Sequence, residues 1–308
     1  MNEPLVSIVV ITYNSSKYVV ETLDSIRLQT YQNIELIISD DASSDNTITI
    51  CKSWLKQNES RYVRTEVVTS PKNTGIPANC NRGINVAHGE WVKLIAGDDV
   101  LCPDYLSLCI KQIINSKEQE INFLYTNIER FGLEKPKGKS DLSKLKINKN
   151  SITAKEQFQI LLRYNPILAV SFISHNETLK KLGGFNEKYP LFEDWPMWLK
   201  ITQMGYKIHY LDIVGVKYRM HSESVQLKKS KANQFINDFN LAKSQMILNE
   251  YILYYPYFER ILRKYINSTN LIFRKMNINN NSRIIYFIYH FITYIPRMIL
   301  NKIRSRYI

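Results

Sequence analysis

The stretch "IELIISDDASSDNT", residues 34–47, gives the clearest indication of the fold. It opens with a short run rich in Ile and Leu, which is typical of a strand that is buried on both faces. Asp and Ser residues follow, and both commonly stand at the start of a helix. A strand, a polar turn and a helix in this order form the repeating unit of an α/β sheet.

The same alternation runs through the first third of the chain. Strands are predicted at 5–11, 34–39, 65–70 and 90–96, with helices between them at 15–29, 43–57 and 77–88. Because parallel strands need crossover connections, this order predicts a parallel sheet with helices on both faces. The apolar N-terminal run is thus interpreted as a strand and not as a signal peptide.

Beyond residue 125 the alternation weakens. Residues 133–150 are rich in Lys, Gly and Ser, which predicts an exposed loop. A helix is predicted at 153–164, and a strand, a Gly turn and a helix within 165–211. From about residue 230 the pattern is helical and rich in aromatic residues.

The length, hydrophobic content and charge of the chain narrow the class of protein to which it can belong. A chain of 308 residues with 44% hydrophobic residues has ample material for one large or two closely associated globular domains. The formal charge of +13 indicates an acidic partner: a nucleic acid, a phosphate-bearing ligand or an anionic membrane. Part of this excess lies at the end of the chain, since residues 271–308 contain seven Lys and Arg residues and no Asp or Glu.

The cysteines predict neither a zinc site nor a disulfide framework. None of them forms a Cys-x-x-Cys pair, and no His/Cys zinc spacing is present. Reduced thiols of the cytosolic kind are therefore predicted for Cys51, Cys80, Cys102 and Cys109.

Polar residues follow three of the predicted strands, as "TYN" at 12–14, "DDASSD" at 40–45 and "GDD" at 97–99. Parallel strands bring their carboxyl ends to one edge of the sheet, where ligands bind. Asp98 and Asp99 suit a Mg²⁺ or Mn²⁺ ion, which binds one or two carboxylates together with substrate phosphates. Asp40 and Asp41 could bond a base ring or a ribose hydroxyl, or they could simply cap the next helix.

Two further clusters are candidates. Glu193 and Asp194 stand near a predicted helix start, where one of them could be a general base or both could complement the helix dipole. The nearby Trp195 and Trp198 could stack on a sugar or pack in the core. Arg219 and His221 alternate on an extended segment, so both could face a phosphate or a metal.

These segments together resemble the family 2 glycosyltransferases, which have the GT-A fold. The likeness runs in order from residue 5 to about residue 225. It is carried by "VSIVVITYN" (6–14), "TLDSIRLQTYQNIELIISDDASSDNT" (22–47), "NTGIPANCNRGINVAHGEWVKLIAGDDVLCPDYL" (73–106) and "GGFNEKYPLFEDWPMWLKITQMGY" (183–206). The resemblance implies a Rossmann-like mixed sheet flanked by helices.

The resemblance also implies roles for individual residues. Asp99 matches the principal metal carboxylate with Asp98 beside it, and Asp194 matches the general base, with Glu193 as the second candidate. His221 lies where some members place a group against the metal or the diphosphate. The expected donor-binding residues are Thr12, Tyr13, Asp41, Asn73, Gly75, Asn81 and Asp98, of which Asp41 matches the position that reads the base ring.

Two positions depart from the family pattern. Ala96 stands where an Asp-x-Asp-Asp motif has its first Asp, although the "GDD" form also occurs in the family. Cys80 stands in place of the usual Arg before Asn81, and Arg82 is a substitute that would point elsewhere on a helix.

The activity implied is an inverting transfer of a sugar, a hexosyl or N-acetylhexosaminyl group, from a nucleotide-diphosphate donor with UDP preferred. The acceptor is a hydroxyl of a glycan or of a lipid-diphosphate-linked glycan, as in bacterial surface-polysaccharide assembly. The catalytic domain is predicted at 1–228, with a nucleotide-sugar half to about 125 and an acceptor half from about 126. A helical, basic and aromatic segment is predicted at 229–308.

The C-terminal segment has an alternative to packing on the enzyme itself. Residues from about 280 to 308 combine aromatic and apolar residues with flanking Arg and Lys, which favours a helix lying in an anionic membrane interface. The protein is therefore expected in the cytoplasm, at the inner face of the cell membrane.

Two other classes of protein remain as alternatives. A nucleotidyltransferase would also use an α/β sheet and Mg²⁺, but it normally needs a Gly-rich basic phosphate loop, which "VITYNSSKYV" lacks. A basic protein that binds nucleic acid or membrane without catalysis is suggested by the charge alone, and no nucleic-acid-binding signature appears. We therefore expect no nucleic-acid partner.

Overall fold

The computed structural model describes residues 3–116, 120–132, 138–139, 141–221, 238–275 and 283–308. It divides into two compact units. The first, called the sheet unit here, comprises Met1–Leu161 and Asn165–His221. The second, the helical unit, comprises Leu162–Tyr164 and Ser222–Ile308.

A nine-stranded mixed sheet forms the centre of the sheet unit. Its strands are β1 (Val6–Thr12), β2 (Ile34–Asp40), β3 (Arg64–Thr69), β4 (Trp91–Ala96), β5 (Val100–Leu101), β6 (Phe123–Gly132), β7 (Gly138–Lys139), β8 (Phe172–His175) and β9 (His209–Met220). Their order across the sheet is β3-β2-β1-β4-β8-β6-β9-β5, with β7 paired to β6.

The direction of the strands brings the polar strand ends together. Strands β1 to β4 are mutually parallel, and β8 runs antiparallel to both β4 and β6. Strand β6 therefore has the same direction as β4, and β9 pairs with β6 in parallel. The carboxyl ends of β1, β2, β4, β6 and β9 thus lie at one edge, which we call the carboxyl edge.

Seven helices flank the sheet in the described part of this unit. They are α1 (Val19–Arg27), α2 (Thr47–Asn58), α3 (Ile76–Asn85), α4 (Tyr105–Asn115), α5 (Ala154–Leu161), α6 (Asn176–Lys181) and α7 (Asp194–Gln203). Strand β2 is buried throughout and β1 almost throughout, because helices cover both faces. Leu23 and Ile26 of α1 and Trp54 of α2 share one core cluster with Ile8 of β1.

The first four strands confirm the sequence prediction to within one residue at most ends. The loop predicted at 133–150 is partly outside the described residues, at 133–137 and 140. Its described part is not entirely loop, since β7 pairs with β6 and Lys146–Asn148 form a 3₁₀ turn. Pairing with the neighbouring strand β6 therefore orders part of a segment whose local composition is polar.

The helical unit contains α8 (Asp238–Met246), α9 (Tyr257–Lys275) and α10 (Arg283–Arg304). Helices α9 and α10 pack together, and Leu241 and Tyr289 form a small buried cluster. A buried ion pair joins Arg163 to Glu259 at 2.8 Å. Within the described ranges, no helix is both long and apolar enough to cross a bilayer.

Candidate active site

The two carboxylates at the end of β2 accept hydrogen bonds from other groups of the protein. Asp40 accepts hydrogen bonds from the Thr12 hydroxyl at 2.8 Å and from the backbone and side chain of Ser43. Asp41 accepts four, from the Thr74 N–H and hydroxyl, the Gly75 N–H and the Arg82 guanidinium. Since a carboxylate offers about four lone-pair sites, Asp41 is fully occupied.

The turns after β1 and β2 are joined to each other. The Asn14 N–H donates to the Ser43 hydroxyl, and the Asn14 amide oxygen accepts from the Ser44 N–H, both at 2.8 Å. Asn14 and Ala42 both have positive φ, of 52° and 63°. Asn tolerates this left-handed conformation, whereas Ala adopts it only at an energetic cost.

The segment around α3 that is expected to bind the donor is in contact with the loop at residues 185–190. Gly75 has a φ of 91° and lies so close to Pro190 that an added Cβ would stand 2.7 Å from the Pro190 Cβ. Asn81 donates to the Phe185 carbonyl and to Glu187, and accepts from the Phe185 N–H. The Asn81 amide therefore fixes this loop in the structure.

Arg82 points toward the site and not away from it. Its guanidinium contacts Asp41 at 3.1 Å, the Thr74 hydroxyl at 2.8 Å and the Asn79 side chain at 2.8 Å. The sequence-based expectation that Arg82 would point elsewhere was wrong as regards Asp41, because α3 packs against β2 and its Arg82 side chain reaches the Asp41 carboxylate. Tyr13 is 49% exposed and Asn73 is exposed, so both remain open to a ligand.

The two carboxylates after β4 have different environments. Asp99 is 1% exposed and accepts the Arg219 N–H at 2.8 Å. Burial, and next the charge of Asp98, raise the pKa of Asp99 well above its usual range. The Asp98 side chain is 27% exposed and meets the His221 Nε2 at 2.8 Å. The preceding Gly97 leaves room for Thr12, whose Cγ2 an added Cβ would approach to 2.9 Å.

Strand β9 brings two cationic or titratable side chains onto this turn. Arg219 donates through Nε to the Asp98 carbonyl at 2.7 Å and pairs with Glu21 of α1. The Tyr18 ring lies 4.6 Å from the Arg219 guanidinium and 5.0 Å from the His221 ring. The predicted group of Asp98, Asp99, Arg219 and His221 is thus brought together, and Glu21 and Tyr18 join it.

Glu193 and Asp194 stand at the start of α7, as expected. The Asp194 carboxylate accepts the Asn165 side-chain amide at 3.0 Å and the Trp195 N–H at 2.6 Å. Trp198 is buried against Phe172, with ring centroids 3.9 Å apart, so core packing accounts for it. The half-buried Trp195 donates its indole N–H to the Leu161 carbonyl.

The partly buried Tyr218 and the buried Cys80 each respond to carboxylates from more than one of these clusters. Burial raises the pKa of Tyr218, and so do the carboxylates of three residues, Asp99, Asp98 and Glu193. Burial likewise raises the pKa of the Cys80 thiol, with further contributions from Glu193 and Asp41. The charge of Glu193 therefore acts on one group together with Asp98 and Asp99, and on another together with Asp41.

The residues around Asp98 fit a divalent cation. In the part of the chain that the structure describes, no group of three or more His, Cys, Asp or Glu side chains could hold a metal by itself. Mg²⁺, however, is usually bound by one or two carboxylates with substrate phosphates completing the shell. The partly exposed Asp98 carboxylate meets that requirement better than the buried Asp99.

Sequence reasoning missed several residues of this neighbourhood. Glu21 and Tyr18 lie on or just before α1, and their contact with β9 spans about two hundred residues, as the 198 positions between Glu21 and Arg219 show. Asn165 had a weak local signal, since an Asn-Pro pair marks a turn. The signal did not indicate which side chain the Asn would meet.

Comparison with known proteins gives independent evidence on the family of this chain. The family model described as Glycosyl transferase family 2 matches residues 7–166, just over half of the chain. An uncharacterized glycosyltransferase of Haemophilus influenzae is 27% identical over 281 residues, covering 88% of this chain and 80% of the relative. A hyaluronan synthase of Pasteurella multocida is 25% identical over 83% of this chain, which spans 24% of that protein.

Solved structures agree on the architecture. S. aureus TarS 1–349 in complex with UDP-GlcNAc has a TM-score of 0.61 at 20% identity, covering 86% of this chain and 72% of that one. A mannosyltransferase of Pyrobaculum calidifontis in complex with GDP-Man and Mn²⁺ has a TM-score of 0.55 at 18% identity, covering 80% and 63%. At these identities the likeness concerns the fold, and it confirms the predicted GT-A architecture.

Proposed function

We propose, from the premise that the chain belongs to glycosyl transferase family 2 and is a glycosyltransferase, that it transfers a hexosyl or N-acetylhexosaminyl group from a UDP-sugar with inversion. The acceptor is a hydroxyl of a glycan or of a lipid-diphosphate-linked glycan. One observation carries the proposal. The Asp98 carboxylate is partly exposed at the carboxyl edge with Arg219 and His221 against it, and Glu193, the residue before Asp194, acts with Asp98 on the pKa of Tyr218.

The nucleotide end of the donor would lie between the turns after β1 and β2. Tyr13 offers an exposed ring face for the base, and Asn73 lies exposed beside it in the donor segment. Direct reading of the base by Asp41 stays a prediction, because a base N–H must displace one of its four donors. The TarS complex with UDP-GlcNAc supports a UDP-sugar as the first donor to test.

Asp98 would hold a Mn²⁺ or Mg²⁺ ion together with the donor diphosphate, with His221 beside it. When bound, such an ion neutralises the charge that develops on the leaving diphosphate. Arg219 adds a fixed positive charge at the same place. The role of Asp99 as the principal metal ligand stays a prediction, and its burial favours a supporting role behind Asp98.

Asp194 would remove the proton from the attacking acceptor hydroxyl. Attack on the side of the anomeric carbon opposite the diphosphate inverts the configuration in one displacement, through an oxocarbenium-like state. The Trp195 N–H and the Asn165 amide hold the two Asp194 oxygens, so the carboxylate is oriented before the acceptor arrives. Glu193 is the second candidate for this role.

Metal-dependent nucleotide binding tests the donor site. Calorimetric titration of UDP, with GDP and dTDP as controls, should show UDP binding that needs Mn²⁺ and is lost in Asp98→Ala. The matched control is Asp104→Asn, an exposed acid at the cap of α4, where Asn is an equally good capping residue. No nucleotide binding by folded protein would contradict the proposal, as would equal binding without metal.

We also propose that the C-terminal helix contacts an anionic membrane on the cytoplasmic side. Exposed apolar residues recur on one stripe of α10, at Phe287, Phe291, Ile295 and Met298. Phe291 is 85% exposed. Arg and Lys residues follow in the last turns, which complements anionic headgroups and suits a helix lying in the interface.

Vesicle sedimentation tests this contact. The protein should sediment with vesicles of phosphatidylcholine and phosphatidylglycerol more than with phosphatidylcholine alone, and Phe291→Asp should abolish the difference. The matched control is Val63→Asp, which introduces the same charge at an exposed apolar side chain outside α10 and should keep the difference. A change of oligomeric state in Phe291→Asp, without vesicle binding by the unaltered protein, would assign the stripe to a second copy.

A further inference from the structure

A short segment before β8 is fastened to the first turns of α7. Both tryptophans of α7 donate hydrogen bonds from their indole N–H groups to backbone carbonyls of this segment. An asparagine of the segment donates in return to a side chain of α7. The three bonds are Trp195 to the Leu161 carbonyl at 2.6 Å, Trp198 to the Ile167 carbonyl at 3.2 Å, and Asn165 Nδ2 to Asp194 Oδ2 at 3.0 Å.

The orientation of the Asn165 amide is fixed by its own turn. The Ile167 N–H donates to the Asn165 Oδ1 at 3.1 Å, so the oxygen end of the amide is engaged. Pro166 follows directly and restricts the backbone of the residue before it to extended conformations. The NH₂ end of Asn165 is therefore directed at Asp194.

The Asp194 carboxylate is consequently held at both oxygens. Oδ2 accepts from Asn165 and Oδ1 accepts from the Trp195 N–H. Neither bond by itself uses both lone-pair sites of the oxygen that accepts it. Because Asn is neutral, it fixes the orientation without cancelling the negative charge that a base needs.

We propose that Asn165 is a positioning residue that aims the Asp194 carboxylate at the acceptor hydroxyl. This inference rests on the proposed role of Asp194 as the base. Displacing a reacting group by about 1 Å can cost about 10²-fold in rate. Loss of the Asn165 amide should therefore act on kcat and leave the donor site at the other acidic turn intact.

The test compares Asn165→Ala and Asn165→Asp with the unaltered full-length enzyme. We expect kcat for transfer to the acceptor to fall about 10- to 100-fold, with the larger loss in Asn165→Asp, where a like charge faces Asp194. The KM for the donor and the affinity for UDP with Mn²⁺ should stay within about twofold, since the Asp98 turn is untouched.

A structural asparagine serves as the matched control. Asn176 is buried and donates to the Ala87 and Gly89 carbonyls, so Asn176→Asp also breaks hydrogen bonds made by a side-chain amide. It should lower the thermal midpoint of unfolding while kcat per folded molecule is retained. Equal kcat losses in the Asn165 and Asn176 variants would overturn the proposal, since the effect would then be general destabilisation.

Asp194→Asn separates the two levels of inference. If it abolishes transfer while both Asn165 variants keep the full kcat, the positioning role is wrong and the base assignment stands. If Asp194→Asn retains full transfer, the base assignment itself is wrong, and the positioning role falls with it. A loss of kcat in the Asn165 variants, with unchanged UDP affinity and an inactive Asp194→Asn, supports the proposal.

Discussion

Two Asp-Asp pairs lie at the carboxyl edge of the same sheet, after β2 and after β4, and they differ in what surrounds them. In the Asp40–Asp41 pair, Asp40 accepts three hydrogen bonds from the protein and Asp41 four, and the Asp41 side chain is 4% exposed. In the Asp98–Asp99 pair one carboxylate is buried, and the other is partly open against a histidine.

The difference separates a pair that builds the site from a pair that can bind a ligand. Asp41 joins the 73–75 turn and α3 to the end of β2 through Thr74, Gly75 and Arg82. The Asp98 carboxylate meets His221, the residue that follows β9 and that could itself bind a ligand. The identical dipeptide therefore takes its role from the donors that reach it.

The largest contrast is expected in activity. Asp98→Ala should lower kcat/KM for sugar transfer by about 10²- to 10³-fold, the range found when one stabilising group for developing charge is removed. Unfolding by urea should be little changed, because this carboxylate is partly exposed. The assignment of a binding role would be wrong if Asp98→Ala lost stability and kept its activity.

Stability should respond mainly to the other pair. Asp41→Ala leaves the Thr74 N–H without its acceptor and removes one hydrogen bond each from the Gly75 N–H and the half-buried Arg82, which should cost about 2–3 kcal/mol in the free energy of unfolding. Urea denaturation measures the loss. An unchanged midpoint, together with lost UDP binding, would instead make Asp41 a ligand-reading residue like the one in the family pattern.

The buried cation near the second pair should be visible in the pH dependence of stability. Burial lowers the pKa of Lys93 from 10.5 to about 7. Between these values the unfolded chain keeps a proton that the folded chain releases, so this group makes stability rise with pH. The rise is up to about 1.4 kcal/mol per pH unit.

Lys93→Met removes this titration. The difference in unfolding free energy between the unaltered protein and Lys93→Met should increase from pH 7 to 9, in favour of the unaltered protein. Urea titrations at three pH values suffice to measure the slope. A difference that is constant with pH would mean that the Lys93 ammonium remains charged beneath Asp99.

The smallest effect is expected in the turn that follows the Asp40–Asp41 pair. Ala42 holds a φ of 63°, where an L-residue is disfavoured by about 1–2 kcal/mol. Gly relieves this strain, but it also loses more chain entropy than Ala on folding. The net effect of Ala42→Gly should be a stabilisation of about 0.5–1 kcal/mol. Destabilisation in calorimetric unfolding would show that the Ala methyl makes contacts worth more than the strain.

The parallel half of the fold was accessible from the sequence because its signals are local. Runs such as "VSIVVIT" carry their own indication of a buried strand, and polar residues mark where each run ends. Strands β6 and β9 were not delimited, since their pairing joins segments about 85 residues apart and includes irregular register at Thr126 and Asn127. Local composition carries little information on such partners.

The same limit applies to the candidate site. The sequence identified both Asp pairs, Arg219 and His221, but the saturation of Asp41 depends on donors 33 to 41 positions away. Likewise, the sequence did not identify Asn165 as part of the site, and only the packing of α7 brings it to Asp194. Residue type was therefore predictable where a motif exists, and hydrogen-bond occupancy was not.

The reach of β9 has a consequence for the biosynthesis of the protein. The Arg219 N–H that covers Asp99 lies 120 positions further along the chain, and β9 also supplies the pairing partner of the short β5. At about 5–20 residues per second, a ribosome needs roughly 6–24 seconds to make that stretch. During translation the acidic turn therefore emerges well before the strand that shields it, so the first four strands can form early while the surroundings of Asp99 are completed late.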